Sequence, residues 1–413
     1  MLHLGIVLRV ESPAEVKARY DAAVSGLRAP LAILDLAAMR ANSADLVRRA
    51  HGTPIRLATK SLRVRSIIEA VSAMPGHSGL LAYSLPEALW LFRSGSSDDI
   101  VVAYPTVDAA AIADLAADPQ AGAAITLMVD CVDHLDLIDG AIRPMAGPAV
   151  PVRVAIDVDA SYRPRGSARI HLGVRRSPIR TPNEAATLAR EIGRRPSFDL
   201  DGLMSYEAQI AGVGDRPPGP RAKGAVIRVM QARSATELSQ RRAEVVDAVR
   251  GVADLRFVNG GGTGSLEGTS AEESVTEVAA GSGVFGPHLF DTYSGFRPLP
   301  AALFALPVVR RPAPGWVTLF SGGYLASGPA DAQRLPVIQL PHGLALSGTE
   351  GAGEVQTPIT GEPADQLQIG DLVWLRHAKA GELAERFTRF HLVEEDRVVG
   401  TAPTYRGEGQ AFG

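Results

Sequence analysis

Pro54-Ile-Arg-Leu-Ala-Thr-Lys60 is a short β-type run that ends on a lysine, and Ser61–Met74 (SLRVRSIIEAVSAM) follows it with apolar residues at helical spacing. The same strand-then-helix pair recurs on both sides. Leu31–Leu36 (LAILDL) leads into AAMRANSADLVRRA, and Gly79–Ser84 (GLLAYS) into LPEALWLFRSG. Further runs of this kind are Asp99–Pro105, Ala124–Asp130, Val150–Asp159, Gly202–Ala208 and Leu255–Gly261, which makes eight expected strands. Thr181-Pro182-Asn183-Glu184 reads as a capping box with proline at the first helical position. Near-continuous apolar strands alternating with helices predict a parallel sheet with helices outside, and eight units in roughly 270 residues match a (β/α)8 TIM-type barrel.

Spacing between the strands widens late in the barrel, where two inserts sit. Ser161–Arg180 (SYRPRGSARIHLGVRRSPIR) is rich in arginine, and Gly212–Gly224 (GVGDRPPGPRAKG) is rich in glycine and proline. Both follow the carboxyl end of a strand, so they are lids, partner contacts or solvated loops, alternatives that composition leaves open. The texture changes near Arg297, where RPLPAALFALPVVRRPAPG carries too many prolines for a long helix and short apolar runs follow. The expected organisation is a barrel over 26–297 and a C-terminal β-rich domain over 298–413. Residues 1–25 are expected to pack on that second domain, since Leu4–Val10 is a free β-type run.

The chain has 413 residues, of which 46% are hydrophobic and 21% charged, so it can bury a large core. A net charge of −3 offers no basic field for a phosphate backbone, which argues against a nucleic-acid binder. No uncharged run reaches the ~18 residues of a membrane helix, and the first ten residues lack the marks of a secretion signal. A single cysteine, Cys131, excludes an internal disulfide and any multi-cysteine metal site and fits a reducing cytoplasm.

Lysine occurs only at Lys17, Lys60, Lys223 and Lys379, among 42 basic residues. Arginine therefore serves wherever mere positive charge is needed. Lysine, unlike arginine, can lose its proton and attack a carbonyl, and Lys60 closes a barrel strand at the face where such barrels place their chemistry. Asn259-Gly-Gly-Gly-Thr-Gly-Ser265 follows the last expected strand, and Gly281-Ser-Gly-Val-Phe-Gly286 comes soon after. Glycines let backbone N–H groups converge on an anion, and the Thr263 and Ser265 hydroxyls are candidate donors. Neither cluster is a Walker loop or a dinucleotide fingerprint. Together with a lysine at a strand end they point to an aldehyde-bearing phosphate cofactor.

These residues, in this order, resemble the fold-type III pyridoxal-phosphate enzymes, the alanine-racemase-like barrels. Within them the likeness is to the D-threonine aldolase and D-serine dehydratase branch, including proteins described as amino acid deaminase/aldolase. Pro30–Asp35 with Asn42 resembles the opening strand and helix, Arg56–Lys60 the cofactor-lysine strand, and Gly202–Glu207 the glycine–tyrosine strand. Gly260–Gly264 resembles the phosphate loop and Gly281–Phe285 the last phosphate-binding turn. The resemblance implies pyridoxal 5'-phosphate linked to Lys60, with Tyr206 nearby and the phosphate held by Gly262, Thr263, Gly264, Gly281, Ser282 and Gly283. It further implies a homodimer whose C-terminal domain completes the neighbour's site.

The chain departs from the pattern in two places. The branch carries a metal pair, a histidine followed two residues on by aspartate or cysteine, after a Gly-Asp turn. Here Gly370-Asp371 leads to His377-Ala378-Lys379, and an ammonium group cannot ligate a cation. Either Lys379 itself supplies positive charge and His377 acts as acid/base, or His377 binds a divalent metal with His342 or Glu382. Relatives also place an arginine before a Gly-Val pair, where this chain has His171-Leu172-Gly173-Val174 with Arg169 nearby; Arg169 and His171 are both candidates to touch the cofactor. The implied activity is that of a lyase on a D- and 3-hydroxy amino acid, by retro-aldol cleavage or dehydration and deamination. The rivals are an amino acid racemase, a non-catalytic pyridoxal-phosphate homeostasis protein, and a sugar-phosphate aldolase barrel without cofactor.

Overall fold

The computed structural model describes residues 11–145, 147–148, 150–164 and 170–413. The chain divides into two compact units. One comprises the residues up to Asp45, Ser61–Ser66 and Ser282–Ala411; the other comprises Leu46–Lys60, Ile67–Gly281 and the last two residues.

Strand β1 is Leu31–Asp35. The second unit is a closed barrel of eight parallel strands: β2 Ile55–Ala58, β3 His77–Ala82, β4 Ile100–Val102, β5 Ile125–Val129, β6 Val152–Asp157, β7 Phe198–Ser205, β8 Phe257–Gly260 and β9 Glu277–Ala280. Closure pairs Ile55 with Val278 and Leu57 with Ala280. The expected barrel with a β-rich companion is the observed fold, with one exchange of strands. Leu31–Leu36 is not a barrel strand, because its five buried residues sit centrally in the sheet of the other unit. Its place in the barrel is taken by Glu277–Ala280, a short four-residue strand. Lys60 therefore follows the first barrel strand, and the two glycine clusters follow the last two.

The barrel interior is packed by Val101, Met128, Ala155, Met204 and Phe257. A Cβ at residue 202 would stand 2.7 Å from the Phe257 ring, which is why that strand carries glycine there. The Arg56 and Arg256 guanidinium groups lie 5.3 and 5.2 Å from the same ring. Toward the amino ends of the strands the barrel carries a charged network rather than an apolar layer. Arg56 pairs with Glu277 and Asp99, while Arg256 and Arg153 both pair with Asp201, which also accepts from Thr126 Oγ1 at 2.6 Å.

In the other unit, β10 Ala302–Ala313, β11 Trp316–Phe320, β12 Val337–Leu340, β13 Ala345–Leu346, β14 Gln356–Thr360, β15 Leu372–Arg376, β16 Arg389–Glu394 and β17 Arg397–Pro403 build the companion sheet. Its order is β13-β14-β11-β10-β1-β16-β17, with β15 joining β10 to β12. Helix Pro13–Ala23, started by a Ser12/Glu15 capping box, packs on this sheet: Tyr20 stacks on Trp374 at 5.3 Å and donates to Asp35 at 2.9 Å. The Leu4–Val10 run lies outside the described residues.

The described residues of the two inserts make local contacts. Asp159 gathers Arg163 and Arg180, and Arg241 donates to the Asp159 and Ser161 carbonyls, which ties the arginine-rich insert down. The glycine/proline-rich insert runs into the 30-residue helix Arg221–Arg250.

Candidate active site

The carboxyl ends of the barrel strands bring Lys60, Tyr104, Asp157, Tyr206 and the glycine loop to one mouth. Lys60 stands on the short turn Thr59–Ser61 just past β2, and that position makes it exposed. Its Nζ donates to Tyr104 Oη at 2.5 Å. Burial opposes ionisation of the Tyr104 phenol, but the Lys60 ammonium and then Arg176 outweigh it, and its pKa falls below the ordinary 10. Tyr206 shows the opposite balance: burial and the neighbouring Glu207 carboxylate push it up to about 12, so it stays a neutral phenol.

Arg176 comes from the arginine-rich insert. Its guanidinium carbon lies 5.2 Å from the Tyr104 ring and 5.7 Å from the Tyr206 ring. At the end of β6, burial raises the Asp157 carboxyl to about 7, with Asp130 and Asp159 adding to the rise and Arg176 opposing it.

The phosphate-type loop is held from behind by one carboxylate. Glu207, 1% exposed, accepts from the Gly261 N–H at 3.2 Å, from Ser265 Oγ at 2.8 Å, from Thr269 Oγ1, and from Arg242 at 2.9 Å. Arg49 adds a brace, donating to the Thr263 carbonyl at 2.7 Å and pairing with Glu267. The Ser265 hydroxyl is thus committed to Glu207 and not offered to an anion, contrary to the sequence expectation. Gly261 takes φ +80°, open to glycine, and a Cβ at residue 262 would meet Tyr206 Cε2 and Ala211 Cβ at 3.0 Å. Gly264 and Ser265 also edge a cavity of about 410 Å³ beside helix 221–250, but Glu207, Glu267 and Glu272 line it, which does not suit an anion.

Of the other expected site residues, Gly281 follows β9 and Ser282–Gly283 open the short helix Ser282–Phe285. His171 Nε2 lies 3.0 Å from the Val174 carbonyl, inside its own loop. Arg169 lies outside the described residues. In the companion unit His377 is buried, with Nδ1 3.2 Å from the Ala302 carbonyl and no partner for Nε2. Burial, then Arg376 and His288, drive its pKa down to about 3, so its imidazole is neutral. Lys379 donates to Ser327 Oγ at 2.9 Å, and His342 is exposed. Among the described residues the three-donor cluster within metal-ligating reach is Asp130, Cys131 and His134 at the end of β5. It includes neither His342 nor His377. The cluster itself lies at a helix start, where the Asp130 N–H donates to His134 Nδ1 at 3.3 Å.

The barrel mouth does fit pyridoxal phosphate. A lysine amine, two phenols and an arginine lie together there, and one of the phenols, Tyr206, approaches the glycine loop where Gly262 leaves it free of a side chain. The Ser205 hydroxyl, buried at the end of β7 beside Tyr206, has no hydrogen-bond partner. Tyr104, Asp157 and Arg176 were not legible as site residues: Tyr104 in DIVVAYP reads as a core tyrosine at a strand end, and Arg176 is one of many arginines in its insert.

A parallel barrel with an imine-capable lysine at its mouth and a phosphate-type loop after its last strands belongs to the class of pyridoxal-phosphate barrels. The chain belongs to the family described as alanine racemase, N-terminal domain, whose model matches residues 34–288. It is 26% identical over 263 residues to the 3-hydroxy-D-aspartate aldolase of Paracoccus denitrificans, a match spanning 63% of this chain and 61% of that relative's length. Among solved structures it is similar to D-threonine aldolase from Filomicrobium marinum, with TM-score 0.74, 18% identity and coverage of 92% of this chain and 96% of the other. It is also similar to D-threo-3-hydroxyaspartate dehydratase from Delftia sp. HT23, with TM-score 0.69, 20% identity and coverage of 92% and 98%.

Proposed function

We propose that the chain is a pyridoxal-phosphate-dependent lyase that acts on a D-configured 3-hydroxy amino acid, by retro-aldol cleavage or by dehydration and deamination. The observation that carries this reading is Lys60 bonded to the Tyr104 phenol at the mouth of a barrel whose glycine loop is braced by buried Glu207. The aldolase and dehydratase relatives support the reaction class. When bound, pyridoxal phosphate supplies an aldehyde for capture of an amine and a conjugated ring that withdraws electrons from the substrate's α-carbon.

The chain's own residues have separate tasks in this reading. Lys60 Nζ is the capturing amine, and Tyr104 fixes its direction and takes or returns its proton at Oη. Thr263, Gly264 and the Gly281–Gly283 turn hold the phosphate, and Tyr206 walls one side of the loop at Gly262. The neutral His377 imidazole serves as base toward the substrate hydroxyl, with the Lys379 ammonium as a fixed charge in place of a metal. A homodimer in which the C-terminal unit completes the neighbour's site is part of this reading. A cytoplasmic setting is too, since Cys131 is the chain's only cysteine. No helix among the described residues is long and apolar enough to cross a membrane.

The test is to incubate the cofactor-loaded protein with each enantiomer of threonine and 3-hydroxyaspartate and to measure aldehyde, keto acid and mirror enantiomer. Aldehyde from the D-enantiomers marks an aldolase, and keto acid with ammonia marks a dehydratase. Appearance of the mirror enantiomer alone makes the protein a racemase, and no product from any of them leaves a binding protein.

A further inference from the structure

We propose that Arg176 is the anchor for the α-carboxylate of the amino acid substrate. This inference rests on the lyase reading above and assigns a residue that neither the family pattern nor the glycine motifs mark. Three observations carry it.

First, the guanidinium is exposed at the barrel mouth and makes no hydrogen bond or ion pair among the described residues, whereas Arg163 and Arg180 of the same insert are both committed to Asp159. Five N–H donors in a planar fork are thus free to take a carboxylate in bidentate fashion.

Second, the fork is already oriented. It lies against two phenol rings, Tyr104 at 5.2 Å and Tyr206 at 5.7 Å, and ring stacking reduces the side-chain entropy that capture of an anion would otherwise cost.

Third, the distances suit an α-amino acid. Lys60 Nζ and Arg176 Cζ each lie 5.2 Å from the centroid of the same Tyr104 ring. A substrate must bring its amine to the position that Lys60 Nζ serves, and its carboxylate is only two bonds from that nitrogen. Lys60 and Arg176 thus border the same ring, and in this proposal the guanidinium is the cation that the carboxylate meets. The carboxyl next to this cation, Asp157, is buried and does not reach Arg176 as an ion pair. The guanidinium therefore keeps its fork for an incoming anion.

The experiment compares wild-type protein with Arg176→Gln and Arg176→Lys, all loaded with pyridoxal phosphate. Cofactor occupancy is read from the absorption spectrum and acetate, an unreactive monocarboxylate probe, is titrated by calorimetry. Full cofactor occupancy in all three proteins, with acetate affinity down at least tenfold in the glutamine variant and partly kept in the lysine variant, is the expected result. KM for the amino acid should rise in parallel with little change in kcat. Equal acetate affinity in wild type and Arg176→Gln overturns the assignment. So does loss of cofactor in step with loss of acetate binding, which makes Arg176 a cofactor ligand. Absence of any cofactor spectrum in the wild type instead defeats the lyase reading itself.

Discussion

Lys60 donates to Tyr104 Oη at 2.5 Å, and the phenol owes most of its lowered pKa to the ammonium beside it, with Arg176 adding to it. Replacing Lys60 with methionine removes that charge while burial stays, so the Tyr104 phenol should titrate at higher pH in the variant. A tyrosinate absorbance titration, with Tyr104→Phe as the subtraction control, reads this directly; an unchanged phenol pKa would show that the pair is incidental. At this scale the sequence identified Lys60 through the scarcity of lysine. It could not identify its partners, because Tyr104, Asp157 and Arg176 have meaning only where separate strand ends and an insert converge. His171 places one ring nitrogen, Nε2, on the Val174 carbonyl of its own loop.

The glycine loop is legible as an element from its composition, but its support is not. Glu207 lies 54 residues before Gly261, and only the adjacency of β7 and β8 brings them together. Removing it takes from buried Arg242 one of two carboxylates, Glu272 being the other, and frees the loop's Gly261 and Ser265. Glu207→Ala should therefore cost about 3–5 kcal/mol of stability, the range seen when one partner of a buried pair is deleted. Glu207→Gln, which keeps the volume and one acceptor, should fold but bind pyridoxal phosphate at least tenfold more weakly. Chemical denaturation and cofactor titration check the two effects, and a fully competent glutamine variant would contradict the bracing role. Strand β9 escaped sequence reading for a related reason: four Ala-rich residues become a strand only because β2 and β8 flank them. The run Leu31–Leu36 was read as a strand correctly and assigned to the wrong sheet, since local pattern does not specify which edge a strand will meet.

Across the whole molecule, the preference for arginine that singled out the four lysines also describes how the barrel is held together. Arg56, Arg153 and Arg256 share Asp99, Asp201 and Glu277 at the amino ends of the strands, away from the mouth. Burial raises the Asp201 carboxyl, but Arg256, Thr126 and Arg153 more than reverse this and bring it to about 2, below its ordinary 3.8. A carboxyl with a lowered folded-state pKa contributes stability that is present above its unfolded pKa and is lost as pH falls through the folded value. The barrel should lose this contribution between about pH 4 and pH 2, and Asp201→Asn should remove that part of the acid transition while lowering stability at neutral pH by about 3 kcal/mol. Thermal unfolding across that range measures both. The central claim is that Lys60, of the four lysines, carries the cofactor. Borohydride reduction of the protein mixed with pyridoxal phosphate, followed by peptide mass spectrometry, tests it most directly. The prediction is one pyridoxyl adduct, on Lys60, absent from Lys60→Ala; an adduct on Lys17, Lys223 or Lys379 instead, or none at all, would contradict it.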